Sequence, residues 1–186
     1  MRYIAVEGLN GVGKTTMVSS ICIHGVNTFR DPDPSFRIRP LIEKLDMDLD
    51  EDRLAILYTA GSIFSQGLNL KLNSVNVSDR SPISTYACYF RLGFERLDTI
   101  SSSVMLPDTV IMIQADEREL IKRLQMRENS QSAVDHQLRE NERMRDGYSA
   151  TLSRFPSIKM RAIDVTNSSP GDARKLLEQA IIDELH

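Results

Sequence analysis

The stretch YIAVEGLNGVGKTTM, residues 3–17, runs from apolar residues through three glycines into Lys14, Thr15 and Thr16. Gly8, Gly13, Lys14 and Thr15 satisfy the spacing G-x-x-x-x-G-K-[ST]. The motif sits between a run that reads as a strand, Tyr3 to Val6, and one that reads as a helix, Lys14 to about His24. Glycines here let successive backbone N–H groups converge on a phosphate chain, and the helix N-terminus adds its positive end. Gly8, Asn10, Gly11, Val12, Gly13, Lys14, Thr15 and Thr16 are therefore the candidate residues for binding ATP or GTP. Lys14 is placed to reach the outer phosphates, and the Thr15 hydroxyl to ligate magnesium.

Outward from this motif, short strand-like runs alternate with longer helical patterns, the signature of a parallel sheet with crossover helices. Val26 to Phe29 is a second strand, followed by the turn RDPDPS and a helix from about Phe36 to Leu45. DEDRLAILYTAGSIFSQGLNLKL reads as one long helix behind an acidic first turn, VNVSD as a strand ending at Asp79, and ISTYACYFRLGFERL as a further helix. DTVIMIQAD, residues 108–116, is the most apolar strand and belongs in the middle of the sheet. ERELIKRLQMR is an amphipathic helix, ENSQSAVD a polar mobile loop, and a helix to about Arg154, the strand KMRAIDV and a helix from about Pro170 to Leu185 complete five strands. The expectation is a three-layer α/β/α, P-loop kinase-like domain over residues 1–186, with a lid segment at about 123–137.

The composition agrees with one ordinary globular domain: 186 residues, 41% hydrophobic and 26% charged. A net charge of −3 supplies no global basic field, so no nucleic-acid partner is expected. Cys22 and Cys88 lack a metal-ligand spacing and read as reduced core thiols. No apolar run approaches the roughly 18 residues of a spanning helix, and the chain enters a strand at once, which points to the cytoplasm without a membrane partner.

Two further constellations carry chemistry. In DRSPIS, Asp79 stands at the carboxyl end of a strand, the side on which open α/β sheets bind ligands, where it can hold a magnesium-bound water. The adjacent Arg80 can fork onto a phosphate. Lys122, Arg123 and Arg127 precede the polar loop, as a lid would that excludes water and offers arginines to a transferring phosphoryl group.

These segments together resemble the thymidylate kinases. EGLNGVGKTT is similar to their P-loop, RDPDPSFRIRPLI to their R-E-P-G-G-T loop, ILYTAGS to their L-F-x-A-x-R helix, DRSPISTYACY to their D-R-Y-x-x-S-x-x-A-Y-Q segment, and NERMRDGYSATL…AIDVTNS to their ending. The resemblance implies magnesium-dependent transfer of the ATP γ-phosphoryl group to a deoxynucleoside monophosphate, commonly by a homodimer. It places Lys14 and Thr15 on ATP and magnesium, Arg80 on the acceptor, Tyr58 at the base-stacking position, Ser84 near base or sugar, and Arg123 and Arg127 in the lid. Arg39 is an acceptor-phosphate contact by its position in its helix. Three residues depart from the pattern. Asn10 replaces an acidic P-loop residue, Ser62 the phosphate-binding arginine of L-F-x-A-x-R, and Ser81 an aromatic.

Two alternatives stay open at this stage. RDP and DRS also resemble the E-P and E-R-S segments of deoxynucleoside kinases, in which Asp31 would be the general base for a sugar hydroxyl. A nucleotide-binding module without catalysis is the other, whereas a GTP switch is disfavoured because the chain carries no N-K-x-D-like segment.

Overall fold

The apolar run ahead of the first glycine forms β1 (Arg2–Gly8), buried continuously from Tyr3 to Gly8. The computed structural model describes residues 1–37, 50–128 and 130–185. In it, β1 is the middle strand of a five-stranded sheet of order β2-β3-β1-β4-β5. The others are β2 (Val26–Arg30), β3 (Val75–Asp79), β4 (Thr109–Gln114) and β5 (Lys159–Asp164), each parallel to its neighbours. The inner strands β1 and β4 are covered on both faces, which is why they read as unbroken apolar runs rather than alternating ones. Register brings Val6 and Arg30 level with Asp79, so the ends of β1, β2 and β3 open onto one edge.

Seven helices stand among the described residues: α1 (Lys14–Ser19), α2 (Glu51–Asn69), α3 (Pro82–Tyr89), α4 (Phe94–Ile100), α5 (Glu117–Arg127), α6 (Gln131–Arg154) and α7 (Pro170–Asp183). One face of the sheet packs Ile4, Val6 and Ile111 against Met17, Val18, Leu177 and Ile181 of α1 and α7. The other packs Ala5, Val110 and Met112 against Ile83 and Ala87 of α3 and Met144 and Tyr148 of α6. Helix starts follow local chemistry. Asp50, Asp116, Ser81, Ser130 and Ser169 each accept a first-turn N–H through their side chains, and Pro82 and Pro170 occupy the opening turn.

The differences from the sequence reading have physical causes. The helix after the P-loop stops at Ser19 rather than near His24, because the Ser19 and Ser20 hydroxyls bond back to the carbonyls of Thr16 and Met17. The segment 83–97 is not one helix: a 3₁₀ turn over Phe90–Leu92 and Gly93 at φ 87° separate α3 from α4. ENSQSAVD is mostly helical, since Ser130 caps α6 and helix begins at Gln131. Cys22 is exposed and so is no core thiol, whereas Cys88 is partly buried and packs against the cluster of Ala55, Tyr86, Tyr89 and Leu97. The helix expected over 36–45 opens as a 3₁₀ turn at Pro34–Phe36; its remainder, with Arg39, lies outside the described residues.

The tightest helix contact is between α3 and α6. A Cβ on Gly147 would stand 1.8 Å from the carbonyl oxygen of Ala87, so only glycine lets the two backbones meet. We expect Gly147→Ala to lower unfolding free energy in urea by about 1–3 kcal/mol or more through overpacking, although alanine favours helix over glycine by about 1 kcal/mol. A neutral or stabilising result would show that the helices are not in contact there.

Candidate active site

The loop between β1 and α1 folds as the spacing requires. Gly8 has φ 143°, and a Cβ there would lie 2.4 Å from the Ile113 oxygen of β4; Gly13, at φ 95°, caps α1 in a left-handed conformation. Val12 is buried in the core and pins the loop from beneath. Lys14 lies inside the curve of the loop, with Nζ donating to the carbonyls of Gly8 at 2.7 Å and Leu9 at 2.8 Å. Burial and the neighbouring Arg80 guanidinium hold its pKa well below the usual lysine range.

Asp79 closes the loop from β3. Its Oδ2 accepts the Thr15 hydroxyl at 2.5 Å and stands 3.9 Å from Arg30 Nε, while its Oδ1 is buried without a hydrogen-bond partner. A hydroxyl and a carboxylate with an unsatisfied oxygen are hard oxygen donors suited to magnesium, so this pair fits the ion implied by the P-loop. Among the described residues no group of three or more His, Cys, Asp or Glu side chains could hold a metal.

Arg80 follows at φ 70°, its N–H held by the Val6 carbonyl at 3.0 Å. Its guanidinium donates to Asn10 Oδ1 at 2.5 Å and Ser84 Oγ at 3.3 Å. Burial opposes its charge, but Tyr148, Glu7 and Asp79 more than compensate and raise its pKa. Below it lies Glu7, fully buried, accepting hydroxyls from Ser81 at 2.7 Å, Ser84 at 2.6 Å and Tyr148 at 2.8 Å. Glu7, Tyr148 and Asn141 are the residues that sequence reasoning missed. The signal for Glu7 was present: a lone acid inside an otherwise apolar strand must be paired.

A cleft of about 920 Å³ runs from the P-loop to α2 and α3. Asn10, Gly11, Gly13, Lys14, Thr15, Thr16, Asp31, Tyr58, Arg80, Ser84, Arg123 and Arg127 of the expected set all line it. Gly8 and Val12 support the loop from below, and Asp79 reaches the cleft through Thr15. Ser62 is buried beside Asp31 and does not line the cleft. Tyr58 faces Tyr89 with ring centroids 6.2 Å apart, which builds an aromatic wall. The two arginines expected in the lid differ. Arg123 donates to the carbonyls of Val12 and Val165 and to Glu119, whereas Arg127 among the described residues pairs with its neighbour Glu128 and is 54% exposed at the side chain.

A family model described as Thymidylate kinase matches residues 6–172. The chain belongs to the thymidylate kinase family. It is accordingly an ATP-dependent phosphotransferase. It is similar to a probable thymidylate kinase of Methanococcus maripaludis, 24% identical over 99% of this chain and 96% of that one. A probable thymidylate kinase of Thermoplasma volcanium is 29% identical over 77% of this chain and 82% of that one. Thymidylate kinase from Candida albicans superposes with a TM-score of 0.73 at 19% identity, over 98% of this chain and 92% of that one, and that from Ehrlichia chaffeensis with 0.65 at 18%, over 97% of each. These structural likenesses carry the fold.

Asp31, at the end of β2, is 1% exposed and neither of its carboxylate oxygens closes a hydrogen bond. Burial pushes its pKa up to about 7; Ser62 and Gln66, close enough to favour the ionised form, only partly oppose this, and Glu7 adds to the rise. Because the folded-state pKa exceeds that of an unfolded aspartate, the native state binds the extra proton. Stability attributable to this group is thus present in acid and is lost as pH rises from about 4 through 7. The shift corresponds to an upper bound on the order of 4 kcal/mol. We expect Asp31→Asn to stabilise the protein in urea at pH 8 and to do so much less at pH 4.5. An equal effect at both pH values would mean that the carboxyl is not buried as described.

Proposed function

We propose that the protein transfers the γ-phosphoryl group of ATP to the 5′-phosphate of a deoxynucleoside monophosphate, with dTMP the principal acceptor and magnesium required. The observation that carries this reading is a single cleft with a P-loop at one end, a tyrosine wall at the other and Arg80 between them. The family match supports the monophosphate acceptor.

In this reading the P-loop amides and Lys14 hold the β- and γ-phosphates of ATP, which supply the counter-charge that a lysine with a lowered pKa lacks in its buried position. Magnesium, held by Thr15 and Asp79, would offset charge on the donor phosphates. Arg80 orients the acceptor phosphate, and Tyr58 and Tyr89 take the base. Arg123 is committed to main-chain carbonyls, so it fixes the start of the lid; Arg127, itself exposed and paired among the described residues with Glu128, is free to exchange that partner for a phosphate.

A second reading is favoured by one observation, the unpartnered Asp31 carboxylate bordering the cleft. With a pKa of about 7 it suits a general base for a sugar hydroxyl, the requirement of a deoxynucleoside kinase. A coupled ADP-release assay over nucleosides and ribo- and deoxynucleoside monophosphates separates the two. We expect dTMP to exceed thymidine by more than tenfold in kcat/KM, and Lys14→Ala to lower kcat by about 10²–10³-fold. Thymidine as the better acceptor would select the Asp31 reading, and undiminished turnover in Lys14→Ala would remove the P-loop from the chemistry.

The protein is also proposed to act as a homodimer through α2. Ile56, Ile63, Phe64 and Leu68 form one stripe along that helix and are 50%, 44%, 40% and 62% exposed. We expect sedimentation to give a dimer and Leu68→Glu to give a folded monomer; an unchanged sedimentation coefficient in the variant would exclude this face.

A further inference from the structure

Asn10 sits at a junction of three segments. Its main-chain N–H donates to Asn141 Oδ1 at 2.6 Å and its carbonyl accepts from Asn141 Nδ2 at 3.0 Å, so one buried side chain of α6 grips the P-loop by both backbone groups. The Asn10 side chain is equally committed. Its Oδ1 accepts from Arg80 Nη2 at 2.5 Å, and its Nδ2 donates to Glu140 Oε2 at 3.2 Å.

The last bond dictates the residue type. A carboxylate at position 10 would bring two anions to about the 3.2 Å of the present hydrogen bond, whereas the amide presents a donor to Glu140 and an acceptor to Arg80. The negative charge of this junction is thus carried by α6. Glu140 lines the cleft with Gln137 and Met144, and its side chain keeps 41% of its surface exposed while Asn10 holds one oxygen. A carboxylate here repels phosphate and accepts from donors. Arg80, two hydrogen bonds away through Asn10, faces the acceptor phosphate in the proposed function, and the part of a nucleotide next to its phosphate is the sugar.

Resting on that reading, we propose that Glu140 is the specificity-determining carboxylate for the acceptor sugar, accepting a hydrogen bond from the deoxyribose 3′-hydroxyl, and that Asn10 is neutral because it positions Glu140. The geometry ties the two residues into one unit. They should therefore behave non-additively.

Calorimetric binding of dTMP and of its 3′-deoxy analogue, alongside turnover, tests this. Glu140→Ala should weaken dTMP about tenfold, leave the KM for ATP within twofold, and abolish the wild-type preference for dTMP over the analogue. Asn10→Asp should weaken dTMP similarly, and the pair Asn10→Asp with Glu140→Gln should recover most of the loss, since the amide then at position 140 donates to the new carboxylate and keeps its oxygen to accept from the 3′-hydroxyl. Unchanged dTMP affinity in Glu140→Ala, retained discrimination against the analogue, or no recovery in the pair would each overturn the proposal. Glu140-dependent binding of dTMP without turnover would sink the kinase reading and keep this one. Turnover with Glu140-independent binding would do the reverse, and absence of both binding and turnover would overturn both.

Discussion

A single buried carboxylate organises the molecule. Glu7 stands in the central strand with no exposed surface, and an acid in that position costs several kcal/mol unless it is paired and hydrogen-bonded. The chain meets the demand with hydroxyls from three places in sequence: Ser81 at the start of α3, Ser84 one turn later, and Tyr148 on α6. Arg80 lies close enough for Glu7 to reinforce its charge. One side chain therefore fixes how the exits of β1 and β3 and the long helix α6 meet, before any ligand is considered.

The cleft inherits its shape from that arrangement. With Glu7 anchoring Tyr148 and Gly147 letting α6 touch α3 at Ala87, the N-terminal half of α6 must pass over the P-loop. There Asn141 takes the main chain of Asn10 and Arg123 reaches from α5 to the Val12 carbonyl. The phosphate loop is thus held from both sides by side-chain bonds to its backbone. A loop so restrained loses little further entropy on binding, and its amides stay aimed at one point.

Much of this plan was legible in the sequence, and the reasons for the rest are specific. The P-loop spacing, Asp79-Arg80 and the five strands follow from local patterns whose physics acts within a few residues: glycine dihedrals, strand burial and caps. The long helix over Glu51–Asn69 and the helix over Glu117–Arg127 likewise announce themselves through Asp caps and periodicity. The misses are long-range or competitive. Nothing near Asn141 indicates that it would meet a residue 131 positions earlier. The early end of α1 depends on hydroxyls competing with the helix for carbonyls, and the break at Gly93 on one glycine in a still periodic stretch. Asp31 was visible as an acid near a turn, but its burial depends on α2 folding over it with Ser62 and Gln66.

The three departures from the family pattern gain meaning as a set, because each is absorbed by a neighbour that the sequence alone does not pair with it. Ser81 both caps α3 through Ile83 N–H and feeds a hydroxyl to Glu7, two tasks that an aromatic ring could not perform. Ser62, small and buried, leaves Asp31 without a cation, so the cost of that carboxylate appears as its raised pKa rather than as an ion pair. Asn10 is matched to Glu140 across 3.2 Å. In each case a charge or an aromatic surface expected at one position is replaced by a hydroxyl or an amide whose partner lies on another element. The cleft consequently keeps the P-loop and its arginines, the parts that phosphoryl transfer demands, while the polar groups that absorb the three departures lie on β1, at the end of β2 and on α6.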